Sequence, residues 1–115
     1  MNVNDEAKEG NLKEARKRVS ELEEIQDFYS VILVLRGLAK NLLFLSTKTE
    51  EEKAIWEKFY VFSKKLIELM GEEAPYHRSE FLKIPLILLD HADSRIRMNA
   101  VGIIEKVAKS HRVIL

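Results

Sequence analysis

Residues 28 to 45, FYSVILVLRGLAKNLLFL, are apolar around almost the whole circumference of a helix, interrupted only by a thin strip through Ser30, Gly37, Lys40 and Asn41. A helix of this kind has almost no solvent face and must be enclosed. Lipid and protein are the two media that can enclose it. Length alone allows a membrane span, since about 20 apolar residues cross a bilayer. Arg36, Lys40 and Asn41 decide against one, because each cation near the middle of a span costs about 2.5–3.5 kcal/mol on insertion scales. The stretch is therefore expected at the centre of a helical domain, with the other elements packed around it and no membrane partner.

Those other elements also read as helices. Four glycines and two prolines punctuate the whole chain, and nowhere do Val, Ile and Thr alternate with polar residues as a strand requires. The fold class is all-α, four or five helices in antiparallel pairs, in a single domain over 1–115. Residues 1–10 are expected to be flexible. A first helix is expected from Asn11, with Leu12, Ala15, Val19 and Leu22 as its stripe. It either continues into residues 27–45 or stops where Asp27 caps a new helix; Ser20 and Glu23 also have the form of a capping box. Thr49 is a cap for the next helix, with Glu50, Glu51 and Glu52 complementing its dipole, a sufficient reason for an acidic run without a metal. That helix buries Ile55, Phe59, Phe62, Leu66 and Leu69, broadened by Trp56, Tyr60, Ile67 and Met70, and ends at Gly71 before Pro75. A fourth runs from Ser79 to Asp90 around Pro85, which removes one helical hydrogen bond. A fifth runs from Asp93 or Ser94 to Ser110, with Ile96, Ala100, Ile103 and Val107 on its core face.

Between the last two lies a polar island, DHADSRIR, residues 90–97. In FLKIPLILLDHADSRIRMNAVGIIEKVA, residues 81–108, a proline in the first helix precedes a short turn with an aspartate, then Ile, Arg, an alanine three residues on and an apolar second helix. Through Pro85, Asp93, Ile96, Arg97 and Ala100 this segment resembles a HEAT repeat. The resemblance implies a helix pair of an α-solenoid, in a short HEAT-like stack or a compact helical bundle. Where such repeats commonly carry a second acid, six residues before the arginine, this chain has His91. A second segment, AKEGNLKEARKRV, is similar to the turn and second helix of a tetratricopeptide repeat through Gly10, Asn11, Glu14 and Ala15. Asp93 and Arg97 are expected to form a structural joint, Asp93 capping the last helix and Arg97 bonding an acid or exposed carbonyls. Asp90, His91 and Asp93 offer three metal-ligand types in one turn without a fourth, so no metal is assigned.

Composition narrows the function. The absence of cysteine removes disulfides, thiolate metal sites and thiol chemistry, and fits a reducing, cytoplasmic compartment. Met1 to Glu6 is polar and acidic and does not read as a signal peptide. Abundant Lys and Glu beside a single Gln26 is a thermophile-like balance. Nineteen basic and nineteen acidic residues cancel, so no overall field points to nucleic acid. They are unevenly placed: twelve basic against fifteen acidic residues up to 74, and seven against four from 75 onward. No phosphate loop, nucleophile with a base, or paired carboxylates can be assigned, so no catalytic residue and no cofactor is named. Tyr76, His77, Arg78 and Glu80 cluster at a helix start, where capping and solvation explain them. The expected function is a non-catalytic protein–protein interaction module or small adaptor. Its candidate surface is Arg95, Asn99, Lys106, Lys109 and Arg112 on and beyond the last helix, around Gly102. The alternative is nucleic-acid binding by that same basic face, and the apolar end, Val113 to Leu115, is a candidate for self-association.

Overall fold

The computed structural model describes residues 3–70 and 75–110. They form five helices and no strand: α1 (Val3–Glu24), α2 (Phe28–Leu42), α3 (Glu50–Met70), α4 (Pro75–Leu88) and α5 (Ser94–Ser110). The apolar segment does lie at the centre. Helix α2 packs against α1, α3 and α4 and buries Val31, Ile32, Leu35, Leu38, Ala39 and Leu42. Its enclosure is not complete, since Leu33 is 45% exposed.

The first two helices are separate because Asp27 ends any continuity between them. Its backbone is extended (φ −80°, ψ 125°), and its carboxylate accepts from the Ser30 amide at 3.0 Å and the Ser30 hydroxyl at 2.7 Å. Those bonds, the hydroxyl's first, hold the Asp27 carboxyl below the usual range. With three residues between them, α1 and α2 must pack antiparallel.

Helix α1 starts eight residues before Asn11. The expected flexible segment 1–10 is helical from Val3 onward, and Gly10 and Asn11 lie inside the helix rather than in a turn. Asn11 turns its side chain back onto its own helix, donating to the Ala7 carbonyl at 2.8 Å. The early start has electrostatic support: Glu6 lies near the positive end of the helix, and Lys8 reaches Glu52 on α3 at 3.5 Å. Likewise α4 begins at Pro75 and not at Ser79, using the missing N–H of proline where a helix needs no donor. In α3 the core face is Ile55, Trp56, Phe59, Ser63, Leu66 and Met70. Leu69, expected inside, is 66% exposed. Gly71 lies outside the described residues.

The polar strip of α2 is where α1 is keyed to it. Arg18 lies across Gly37, so close that a Cβ there would stand 2.4 Å from its Nε. From that position its guanidinium donates to Asn41 at 2.9 Å and to Glu14 at 3.1 Å, and Asn41 in turn donates to Asn11 at 2.9 Å. Arg16 with Glu51, and Lys58 with Glu23 at 3.2 Å, tie α1 to α3.

Helix α1 packs against α2 and α3, α2 also against α3 and α4, and α5 against α4. The molecule measures 53 × 31 × 20 Å, and 20 Å is the thickness of two helices of about 10 Å each. Asn99 of α5 donates to the Tyr60 hydroxyl of α3 at 3.4 Å, which places that part of α5 beside α3.

The Arg18–Gly37 contact makes a measurable pair. Alanine in a helix interior is favoured over glycine by about 1 kcal/mol. Gly37→Ala is expected to gain about that much when Arg18 is already alanine, and nothing when Arg18 is present and has to leave Asn41. Urea denaturation of the four proteins measures the coupling; equal gains in both backgrounds would mean that Arg18 does not occupy the space over Gly37.

Candidate functional site

The polar island is a joint that reaches further than its own turn. Asp93 caps α5, its carboxylate accepting from the Arg95 amide at 2.8 Å. That bond, then those of the Arg95 side chain, hold the Asp93 carboxyl below its ordinary value. Arg97 folds back over the turn and donates to the carbonyls of His91 at 2.7 Å and Ala92 at 2.9 Å. Of the two roles expected for this arginine, it takes the one that satisfies carbonyls.

His91 is buried, and both ring nitrogens are engaged. Nδ1 accepts from the Asp93 amide at 2.9 Å, and Nε2 lies 2.8 Å from the Leu45 carbonyl. A carbonyl only accepts, so Nε2 carries the hydrogen, Nδ1 is bare, and the ring is neutral. Asp90, His91 and Asp93 therefore do not converge on a common point, and among the described residues no three His, Asp or Glu side chains gather as ion ligands.

Leu45 belongs to the α2–α3 loop, residues 43–49, which is held from three sides. The Trp56 indole donates to the Ser46 carbonyl at 2.9 Å and packs edge-on against His91, ring centres 5.6 Å apart. The Glu52 carboxylate accepts from the Ser46 amide at 2.7 Å, the Ser46 hydroxyl at 3.0 Å and the Thr49 hydroxyl at 2.9 Å. Thr49 returns a cap to the Glu52 amide at 3.1 Å. Burial alone would raise the carboxyl of Glu52, yet the bonds from Thr49 and Ser46, with Lys8 nearby, hold it below the usual range. The Thr49 cap was legible as a helix start. The burial of Glu52 was not, because it depends on where Ser46 and Lys8 arrive.

Arg95, Asn99, Lys106 and Lys109 are exposed on α5; Arg112 and the apolar end lie outside the described residues. Arg95 is 81% exposed and pairs with Asp93 at 3.3 Å, so one of its jobs is local. Gly102 has open space where a side chain would be. What the sequence did not reveal is the opposite wall. Tyr60 of α3 joins Met98, Asn99, Gly102, Ile103 and Lys106 in one hollow. From Tyr60 a second hollow continues along α3 past Trp56, Glu57, Val61 and Lys64. The two hollows meet at Tyr60: the first lies between α3 and α5, and the second runs along the face of α3 to Thr47 of the preceding loop; below, the pair is called the groove. Its signals were Val61, 54% exposed, and Met98, 74% exposed, apolar residues among charges on otherwise polar helix faces.

Two members of the cluster at 76–80 engage α2. The His77 ring packs on Phe28, centres 5.1 Å apart, while Glu80 takes Lys83 at 2.8 Å and Arg36 at 3.9 Å.

Two substitutions test the joint. His91→Phe keeps a ring against Trp56 but strands the Leu45 carbonyl and the Asp93 amide; at about 1–3 kcal/mol for each unsatisfied buried group, a loss of about 2–4 kcal/mol is expected in urea denaturation. Glu52→Gln is expected to cost about 2–3 kcal/mol at neutral pH. Because the folded-state carboxyl titrates below its unfolded value of about 4.3, its stabilisation is complete above that value and vanishes as pH falls through the lower folded one. The gap between wild type and Glu52→Gln should therefore close in acid; a gap independent of pH would show that the carboxylate charge is not what holds the loop.

Comparison with known proteins yields no match: no protein-family model, no curated protein and no solved structure matches the chain.

Proposed function

We propose that the chain is a non-catalytic protein-binding module, a short HEAT-like stack of helix pairs that receives its partner in the groove at Tyr60. The observation that carries this reading is the groove itself: two adjoining hollows that share the half-buried Tyr60 and expose Val61 and Met98 among charged residues. Exposed apolar side chains gathered in a channel with a charged rim are characteristic of surfaces that bind other proteins. The joint at Asp93 and Arg97 supports the HEAT-like description.

Nucleic-acid binding by Arg95, Lys106 and Lys109 is the second reading. It gains one observation, an aromatic residue, Tyr60, beside Asn99 and Lys106. An apolar floor offers nothing to phosphates, and it favours the protein reading.

A display library of random 16-residue peptides, panned on the purified chain, tests this. Selected peptides are expected to lose binding at least tenfold to Gly102→Leu, which fills the groove from a position where the fold has room. Peptides indifferent to that substitution, or a library yielding no binder, would overturn the reading. A 12-base-pair DNA duplex that bound at low salt, weakened steeply with added salt and ignored Gly102→Leu would establish the second reading instead.

A further inference from the structure

The walls of the groove restrict what can lie in it. On α3 the lining side chains Lys53, Trp56, Glu57, Tyr60, Val61 and Lys64 share one helix face, and on α5 Met98, Gly102 and Lys106 stand across from Tyr60. The groove is thus walled by helices, α3 along its length and α5 beside Tyr60, and the α3 row from Lys53 to Lys64 spans about 17 Å, or three helical turns.

A helix wall has no free backbone donors or acceptors along its length, since its amides and carbonyls are spent within the helix. An extended peptide laid on this floor would find nothing to satisfy its own backbone. A helical peptide brings its hydrogen bonds with it and offers only side chains, which is what the floor can receive. The α5 wall is lowered where such a cylinder would come closest. Gly102 weakens α5 relative to alanine, and no neighbouring atom in the fold demands it, because a Cβ there would meet nothing within 4 Å. Beside it Met98, 74% exposed, is an adaptable thioether able to fit varied apolar groups.

The rim supplies the charge. Lys53, Lys64 and Lys106 line the two hollows against a single acid, Glu57. Lys53 is engaged by Glu50 at 3.3 Å; Lys64 and Lys106 are exposed, with no carboxylate partner among the described residues. They stand on different helices, one beside each hollow, where carboxylates along an occupant would meet them.

We propose that the groove binds a single amphipathic α-helix of about three turns whose apolar stripe faces Tyr60, Met98 and Ile103 and whose flanks carry carboxylates. This rests on the reading of the groove as a protein-binding site and names the occupant's chemistry.

Three synthetic 16-residue peptides are the probes: a Leu-striped helix with Glu flanks, the same stripe with Lys flanks, and the Glu-flanked sequence interrupted by a central proline. Each is titrated into the 15N-labelled full chain. The Glu-flanked helix is expected to shift the Gly102 amide and the Trp56 indole, and to bind at least tenfold more tightly than either of the others. Gly102→Leu should abolish those shifts without lowering the melting temperature, and Lys64→Glu with Lys106→Glu should reverse the preference to the Lys-flanked peptide. If all three peptides move Gly102 and Trp56 with equal affinity, the helical, acidic occupant is wrong and the groove as a binding site stands. If the groove signals move with none of the peptides but shift as protein concentration rises, the occupant is a second copy of the chain. Groove signals that respond to nothing sink this proposal, and the peptide display then decides the reading beneath it.

Discussion

The loop between α2 and α3 is the point on which the molecule closes. A connection of seven residues that leaves a buried helix carries backbone groups that water cannot reach, and each must find a partner. Here the partners come from distant parts of the chain: Glu52 takes the Ser46 amide, Trp56 the Ser46 carbonyl and His91 the Leu45 carbonyl. The last of these crosses forty-six residues of sequence. One short segment thereby sets the start of α3 and, through His91, the turn from which α5 departs. The spacing of α3 and α5 across the hollow at Tyr60 follows from the same bonds, because these are the helices that this loop and that turn launch.

What the sequence disclosed and what it withheld divide along a physical line. The central place of α2, the five-helix fold and the caps at Thr49 and Asp93 rest on properties of single helices: periodicity, dipole and first-turn chemistry. Asp27 presented the only ambiguity of that kind, and its extended backbone resolved it. Helix starts were read too late at α1 and α4, where charge in the first turns and proline at the first position extend a helix beyond its apolar stripe. Withheld altogether were features that exist only between elements. His91 reads as a weak ligand in a polar turn until the Leu45 carbonyl is seen beside it. Tyr60 reads as part of a core stripe until α5 lies across from it. The basic row of α5 was visible as half of a surface, and its other half lay forty residues earlier.

Residual polarity inside the protein follows a consistent pattern. Arg18, Asn41, Glu52 and His91 each occupy a boundary between elements, and each bonds at least two groups. The hydroxyl of Ser63, buried in α3, is the exception, with no partner among the described residues. Such junction residues contribute less through net energy than through register: they favour one alignment of two apolar faces that could otherwise slide. Gly37 shows the steric counterpart of this, a missing side chain that lets an arginine lie flat between helices.

Helix α5 is attached differently from the others. Its main packing is on α4, it contributes Ile96, Ala100 and Val107 to the core, Asp93 and Arg97 guy its first turn, and Asn99 donates to Tyr60 of α3 at 3.4 Å. The placement of α5 relative to α3 is therefore inherited: it is set through α4 and the turn at residues 89–93 more than by direct packing of the two helices.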